Sequence, residues 1–225
     1  MKIEIESNIL RYYLRNVYFI NGTAYAGKST MVKLLAEKYG MVQCGENYHA
    51  KNCDKFVTPE YQPNIGYFQT KKDWQEFINR TPEEYARWVD GTSREAAQIE
   101  IAELLRIPEG QKAIVDTNIP LDVLHEISDY HHVAIMLSPQ SMSIDRFFDR
   151  GDEEKQFLLS QIQLAESPEK TMANFKACLA KINSKERYDE FLSSGFFTII
   201  RENSSIDTQM ETMSMLADHF RFEIH

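Results

Sequence analysis

Eight residues, Gly22-Thr23-Ala24-Tyr25-Ala26-Gly27-Lys28-Ser29, follow the pattern G-x-x-x-x-G-K-[ST]. On ordinary residue usage a chain of this length matches it by chance about 1% of the time. The types suit phosphate capture. The first N–H groups of a helix have no acceptor inside the helix, and the helix dipole places partial positive charge there. Glycine lets the backbone before such a helix curl closely around an anion, making a nest of N–H donors. Lys28 can reach β- and γ-phosphates as a point charge, Ser29 can offer its hydroxyl to Mg²⁺, and Thr30 can touch an α-phosphate. A carboxylate fit to hold a magnesium-bound water is expected at Asp116, which ends the apolar run Ala113-Ile114-Val115. Asp116 also fits a turn or N-cap aspartate before Asn118-Ile119-Pro120. Arg146 and Arg150 stand four residues apart and share one face of any helix they form. Two such guanidiniums can close over a transferring phosphoryl group, or simply pair with Asp145, Asp149 and Asp152.

These groups need a scaffold. Short apolar β-rich runs alternate with helical patterns, which predicts an α/β fold with a mostly parallel sheet. Strands are expected at Val17 to Ile20, Met41 to Cys44, Lys112 to Asp116, His132 to Leu137 and Phe196 to Arg201. The first runs into the glycine-bounded loop. The helix after that loop is expected over Lys28 to Tyr39, closed by Gly40 as a left-handed cap. Residues 45–111 are too many for an ordinary loop and carry helix signals of their own. Thr81-Pro82-Glu83-Glu84 reads as an N-cap, a first-turn proline and a capping-box glutamate. Thr92-Ser93-Arg94-Glu95 repeats the box after Gly91. Helices are therefore expected near 83–90 and 93–106, joined or separate, with a shorter one over Lys71 to Asn79. Further helices are expected within 141–165, from Ser167-Pro168 towards Lys181, and from Thr208 to Phe220. Residues 1–15 give no assignment.

The loop Gly22–Thr30 and its helix resemble the P-loop kinases of the nucleoside-monophosphate-kinase and small-molecule-kinase group. The likeness extends to Asp116, to the arginines after the fourth strand and to the closing strand and helix, although only the loop is a specific motif. Tyr25 stands where adenylate-kinase-like loops carry a further glycine. The resemblance implies a three-layer α/β/α fold of the P-loop NTPase type, with a five-stranded parallel sheet in order 2-3-1-4-5. It implies one domain over 1–225, with a helical substrate-binding insertion at 45–111 and a lid at 141–165. It further implies transfer of the γ-phosphoryl group of ATP, with Mg²⁺, to a small-molecule acceptor. Lys28, Asp116, Arg146 and Arg150 then serve the reaction, and Ser29 and Asp116 the metal. Glu46, just past the second strand, stands where related kinases place a base or positioning carboxylate. Asp54 and His49 compete less well, and an exposed loop glutamate is the plain alternative. Arg201, Glu202 and Asn203 follow the fifth strand, where the family forms its adenine pocket, and Asn203 is the candidate reader of the base edge.

Acceptor recognition is expected from the insertion. Arg80, Arg87 and Arg94 are candidates there, Arg87 and Arg94 as a clamp on an anionic acceptor. Tyr85 and Trp88 either stack on a ring or form the insertion's own core. A nucleotide-binding regulator or slow NTPase switch acting on a protein partner is the alternative function. No N-K-x-D base-reading motif follows the fourth strand, where Leu137-Ser138-Pro139-Gln140 stands, and no catalytic carboxylate adjoins Asp116.

Composition narrows the rest. The chain has 225 residues, 25 basic and 34 acidic, for a net charge of −9, which opposes a nucleic-acid or anionic-membrane surface. Cys44, Cys53 and Cys178 show no paired spacing, so a reduced, cytoplasmic setting without a cysteine zinc site is expected. The first residues lack the apolar stretch of a signal peptide, and no run approaches a membrane span. Oligomeric state leaves no mark on the sequence.

Overall fold

A computed structural model describes residues 4–71, 73–139, 147–148, 153–201 and 208–223. Five parallel strands form one sheet: β1 (Val17–Gly22), β2 (Val42–Cys44), β3 (Ala113–Asp116), β4 (Val133–Leu137) and β5 (Phe197–Ile200). Their spatial order is β2-β3-β1-β4-β5, as the resemblance implies. The three central strands are buried along their whole length, which is why they read as largely apolar runs, broken only by Asn21 and Asp116 near their C-terminal ends.

Because side chains alternate across a strand, one run supplies two cores. On one face Tyr18, Ile20, Ile114, Ala134 and Met136 pack against Met31, Val32 and Leu35 of α2 (Lys28–Tyr39). On the other, Phe19, Val115, Ile135 and Leu137 pack with Leu14, which follows α1 (Ser7–Tyr13). Gly40 closes α2 at φ 62°, in the expected left-handed cap.

The insertion between β2 and β3 holds a 3₁₀ segment (Tyr48–Lys55), α3 (Tyr67–Thr70), α4 (Trp74–Ile78) and α5 (Pro82–Leu104). The two expected helices are one. Gly91 does not break α5: a Cβ there would lie 2.4 Å from Nδ2 of Asn64, so the glycine makes room for that side chain. Glu95, expected to complete a second capping box, instead accepts from the Asn64 and Ile65 backbone N–H groups. The box at Thr81 forms as expected, with Thr81 and Glu84 each accepting from the other's backbone N–H. Replacing Thr81 by alanine is expected to cost about 1 kcal/mol in urea unfolding, with the m-value unchanged.

Among the described residues five α-helices follow β3: α6 (Leu121–Ile127), α7 (Glu153–Gln163), α8 (Pro168–Ile182), α9 (Lys185–Leu192) and α10 (Gln209–His219). A third core joins the insertion to α7 and α8 through Phe77, Ile78, Tyr85, Ile162, Phe175 and Leu179. Among the described residues no helix is long and apolar enough to cross a membrane.

Candidate functional site

The loop between β1 and α2 alternates its backbone hand. Gly22 has φ +129°, Tyr25 +65° and Gly27 +90°, and no side chain caps the start of α2. Such alternation turns successive N–H groups toward one concavity. Neighbouring strand ends hold it in shape. Thr23 N–H donates to Met136 O at 3.0 Å. Ser138, just past β4, donates its N–H to Thr23 Oγ1 (2.8 Å) and its hydroxyl to Ala24 O (2.7 Å). Buried Asn21 accepts from Gly22 N–H (2.6 Å) and donates to Ile119 O (2.7 Å), tying the loop to the chain beyond β3. Arg201, at the end of β5, donates to Ala26 O at 3.2 Å and lies across Gly27, where a Cβ would meet its Nη1 at 2.3 Å.

Lys28, Ser29 and Asp116 come together because β1 and β3 run in register, Ile20 opposite Asp116. Lys28 is buried, its Nζ donating to Thr23 O at 3.2 Å and lying 3.9 Å from Asp116 Oδ1. Ser29 Oγ donates to Asp116 Oδ2 at 2.5 Å. A hydroxyl and a carboxylate side by side form a hard-oxygen pair, a donor set that suits Mg²⁺. No cluster of three or more histidine, cysteine, aspartate or glutamate side chains able to hold a metal occurs among the described residues.

Glu46 lies just beyond β2 and is exposed, with Asn118 Nδ2 at 3.5 Å from its Oε1. A second carboxylate, Glu100 of α5, is buried beneath this region. Its Oε2 accepts from Thr117 Oγ1 at 2.8 Å, and Thr117 Oγ1 in turn accepts from Ile119 N–H. His49 Nδ1 stands 3.8 Å from Glu100 Oε1, beyond hydrogen-bond range, and burial holds its pKa below the usual imidazole value. Burial, with the charges of Asp116 and Glu46 adding and the Thr117 bond opposing, pushes the Glu100 carboxyl up to about 7. Sequence reasoning passed over Glu100. Its signal was position: with Ala97 and Leu104 it falls on the buried stripe of α5, an odd place for a charge.

The Glu100 carboxyl ionises more readily unfolded than folded, so the native state holds the extra proton between pH 4.5 and about 7. Stability is therefore expected to fall as pH rises through that window, with the cost fully present above it. Glu100→Gln should flatten the slope and gain a few kcal/mol, about 2–3, at pH 8. Denaturant midpoints at pH 5 and 8 measure both.

The insertion's other candidates separate. Tyr85 is buried and Trp88 half-buried in the ring cluster of Phe77 and Phe175, with Trp88 Nε1 donating to Asn64 O, so both belong to the core. Arg80 lies over the Tyr67 ring at 4.3 Å. Arg87 lines a separate cavity of about 420 Å³ with Arg80, Glu76 and Glu84. Arg94 pairs with Asp122 at 2.9 Å. The expected Arg87–Arg94 clamp thus does not form: seven positions apart on one helix, the two side chains line different cavities. Arg94 instead borders a cleft of about 920 Å³ that opens beside Gly22, Thr23 and Ala24. Thr30 is exposed near the start of α2. Arg146, Arg150, Glu202 and Asn203 lie outside the described residues, as does most of the expected lid segment before α7.

No model of a known protein family and no curated protein matches this chain.

Proposed function

We propose that this protein is an ATP-dependent phosphotransferase that moves the γ-phosphoryl group to a small-molecule acceptor with Mg²⁺. The observation that carries the reading is the convergence of Lys28, Ser29 and Asp116 at the mouth of an uncapped helix, behind a loop of alternating hand. In this reading the loop and the first turn of α2 bind the phosphates, and Lys28 exchanges its loop carbonyl for phosphate oxygens. Ser29 and Asp116 would hold Mg²⁺, which neutralises charge on the bridging and terminal phosphates. Bonds from Ser138, Asn21 and Arg201 keep the loop ordered before nucleotide arrives, so little reorganisation is left for the reaction itself. Phosphoryl transfer asks the protein mainly for positioning and electrostatics, and these groups supply both. Glu46, exposed just past β2, is the nearby carboxylate for orienting an acceptor hydroxyl. A metabolite screen with ATP–Mg²⁺, read by mass spectrometry, should find a product heavier by one phosphoryl group. Failure of calorimetry to detect nucleotide binding, or ADP release indifferent to every metabolite, would refute it.

A further inference from the structure

The cleft beside the loop has a charge pattern that speaks to what occupies it. Its volume, about 920 Å³, lies at the upper end of small-molecule sites and far exceeds a phosphate. One end is the loop at Gly22–Ala24; the walls come from α5, the start of α6, and α9. Val89, Leu121, Tyr188 and Phe191 give apolar surface, while Asn118 and Ser93 give neutral polar groups.

Two guanidiniums border the cleft among the described residues, and both are engaged. Arg187 of α9 grips Asp90 of α5 with one nitrogen at 2.6 and 2.7 Å from the two carboxylate oxygens. Arg94 of α5 holds Asp122 of α6 at 2.9 Å. Glu190 adds a third carboxylate, and His125 is turned to Ser194 O at 2.9 Å. The described lining therefore carries three carboxylates against two paired arginines. An acceptor bearing a phosphate or carboxylate would compete with Asp90 and Asp122 for guanidiniums they already hold, and would lie beside the excess acid of Glu190, both of which disfavour it. A hydroxylated ring compound without negative charge meets neither cost.

We infer that the cleft is the acceptor site and that it takes an uncharged or cationic hydroxyl-bearing ring compound, in the chemical class of nucleosides, sugars and amino sugars, and excludes their phosphorylated and carboxylated forms. This deepens the phosphotransferase reading and rests on it. The charge preference has a test that needs no turnover. A cysteine placed by Ser93→Cys, in a Cys53→Ser background, is titrated with cationic and anionic methanethiosulfonates, and rates are normalised to 2-mercaptoethanol. The cationic reagent should lead by roughly tenfold at low salt, and adding Asp122→Asn, which frees Arg94, should shrink the lead. Ser193→Cys, on the opposite wall, repeats the measurement independently. An anionic reagent that reacts as fast or faster at these positions overturns the inference. So does a screen in which the phosphorylated acceptor is itself anionic. Absence of nucleotide binding would instead remove the kinase reading and leave the thiol rates to decide what charge the cleft admits.

Discussion

Lys28→Ala is expected to lower kcat/KM for phosphoryl transfer by about a thousandfold, the scale set by removing one preorganised donor from a developing charge. The fold should survive. The Lys28 ammonium makes its bonds to loop carbonyls and one ion-pair contact with Asp116, while the rest of α2 is held by Met31, Val32 and Leu35 in the sheet's core. The loop's shape depends on Ser138, Asn21 and Arg201, none of which bonds to the lysine. Loss of activity with an unchanged circular dichroism spectrum and a thermal midpoint within a few degrees is the expected pair of results. Near-normal ATP-dependent turnover in the variant would remove Lys28 from the reaction and with it the assignment of the loop.

Gly22→Ala should act through stability instead. Gly22 sits at φ +129°, a backbone conformation closed to alanine at low energy, and a Cβ there would lie 1.9 Å from Met136 O. Nothing flexible can yield, because that oxygen belongs to β4 and accepts from Thr23 N–H. Separating β1 from β4 at their ends, or turning the loop, costs on the order of 3–5 kcal/mol. For a chain of this size that is a fall in Tm of roughly 10 °C. Gly45→Ala is the matched control: its Cβ meets no atom within 4 Å, and no positive φ is involved. Differential scanning calorimetry of the two variants separates a steric requirement from a general intolerance of alanine. Equal midpoints would mean that the close approach at Gly22 is not rigid.

What could be read from the chain depended on the range of the cause. The glycine-bounded loop, α2 and its Gly40 cap rest on residues within a few positions of each other, and their bounds emerged from the sequence. So, to within two residues, did the central strands, because burial on both faces leaves Val17 to Ile20, Ala113 to Val115 and Val133 to Leu137 without a charged interruption. Asp116 was legible because it ends such a run. Glu100 was not, since its importance lies in Thr117, seventeen residues away and facing it only after β3 joins the sheet. The support Ser138 gives to Thr23 spans 115 positions and has no local trace. Neither α1 nor α9 buries a described residue, so the apolar spacing that announces a helix is weak in both. Gly91 left open whether one helix or two would form, because glycine ordinarily weakens a helix, and the Asn64 side chain that requires its small size comes from a part of the insertion no propensity links to it.

The 23 residues of α5 make an unbroken rod about 35 Å long. Asp90, Ser93 and Arg94 on the cleft wall and Glu100 beneath Thr117 are rungs of that one rod. They cannot be displaced separately without bending it. A tilt or shift of that rod would carry the cleft wall and the buried carboxylate together.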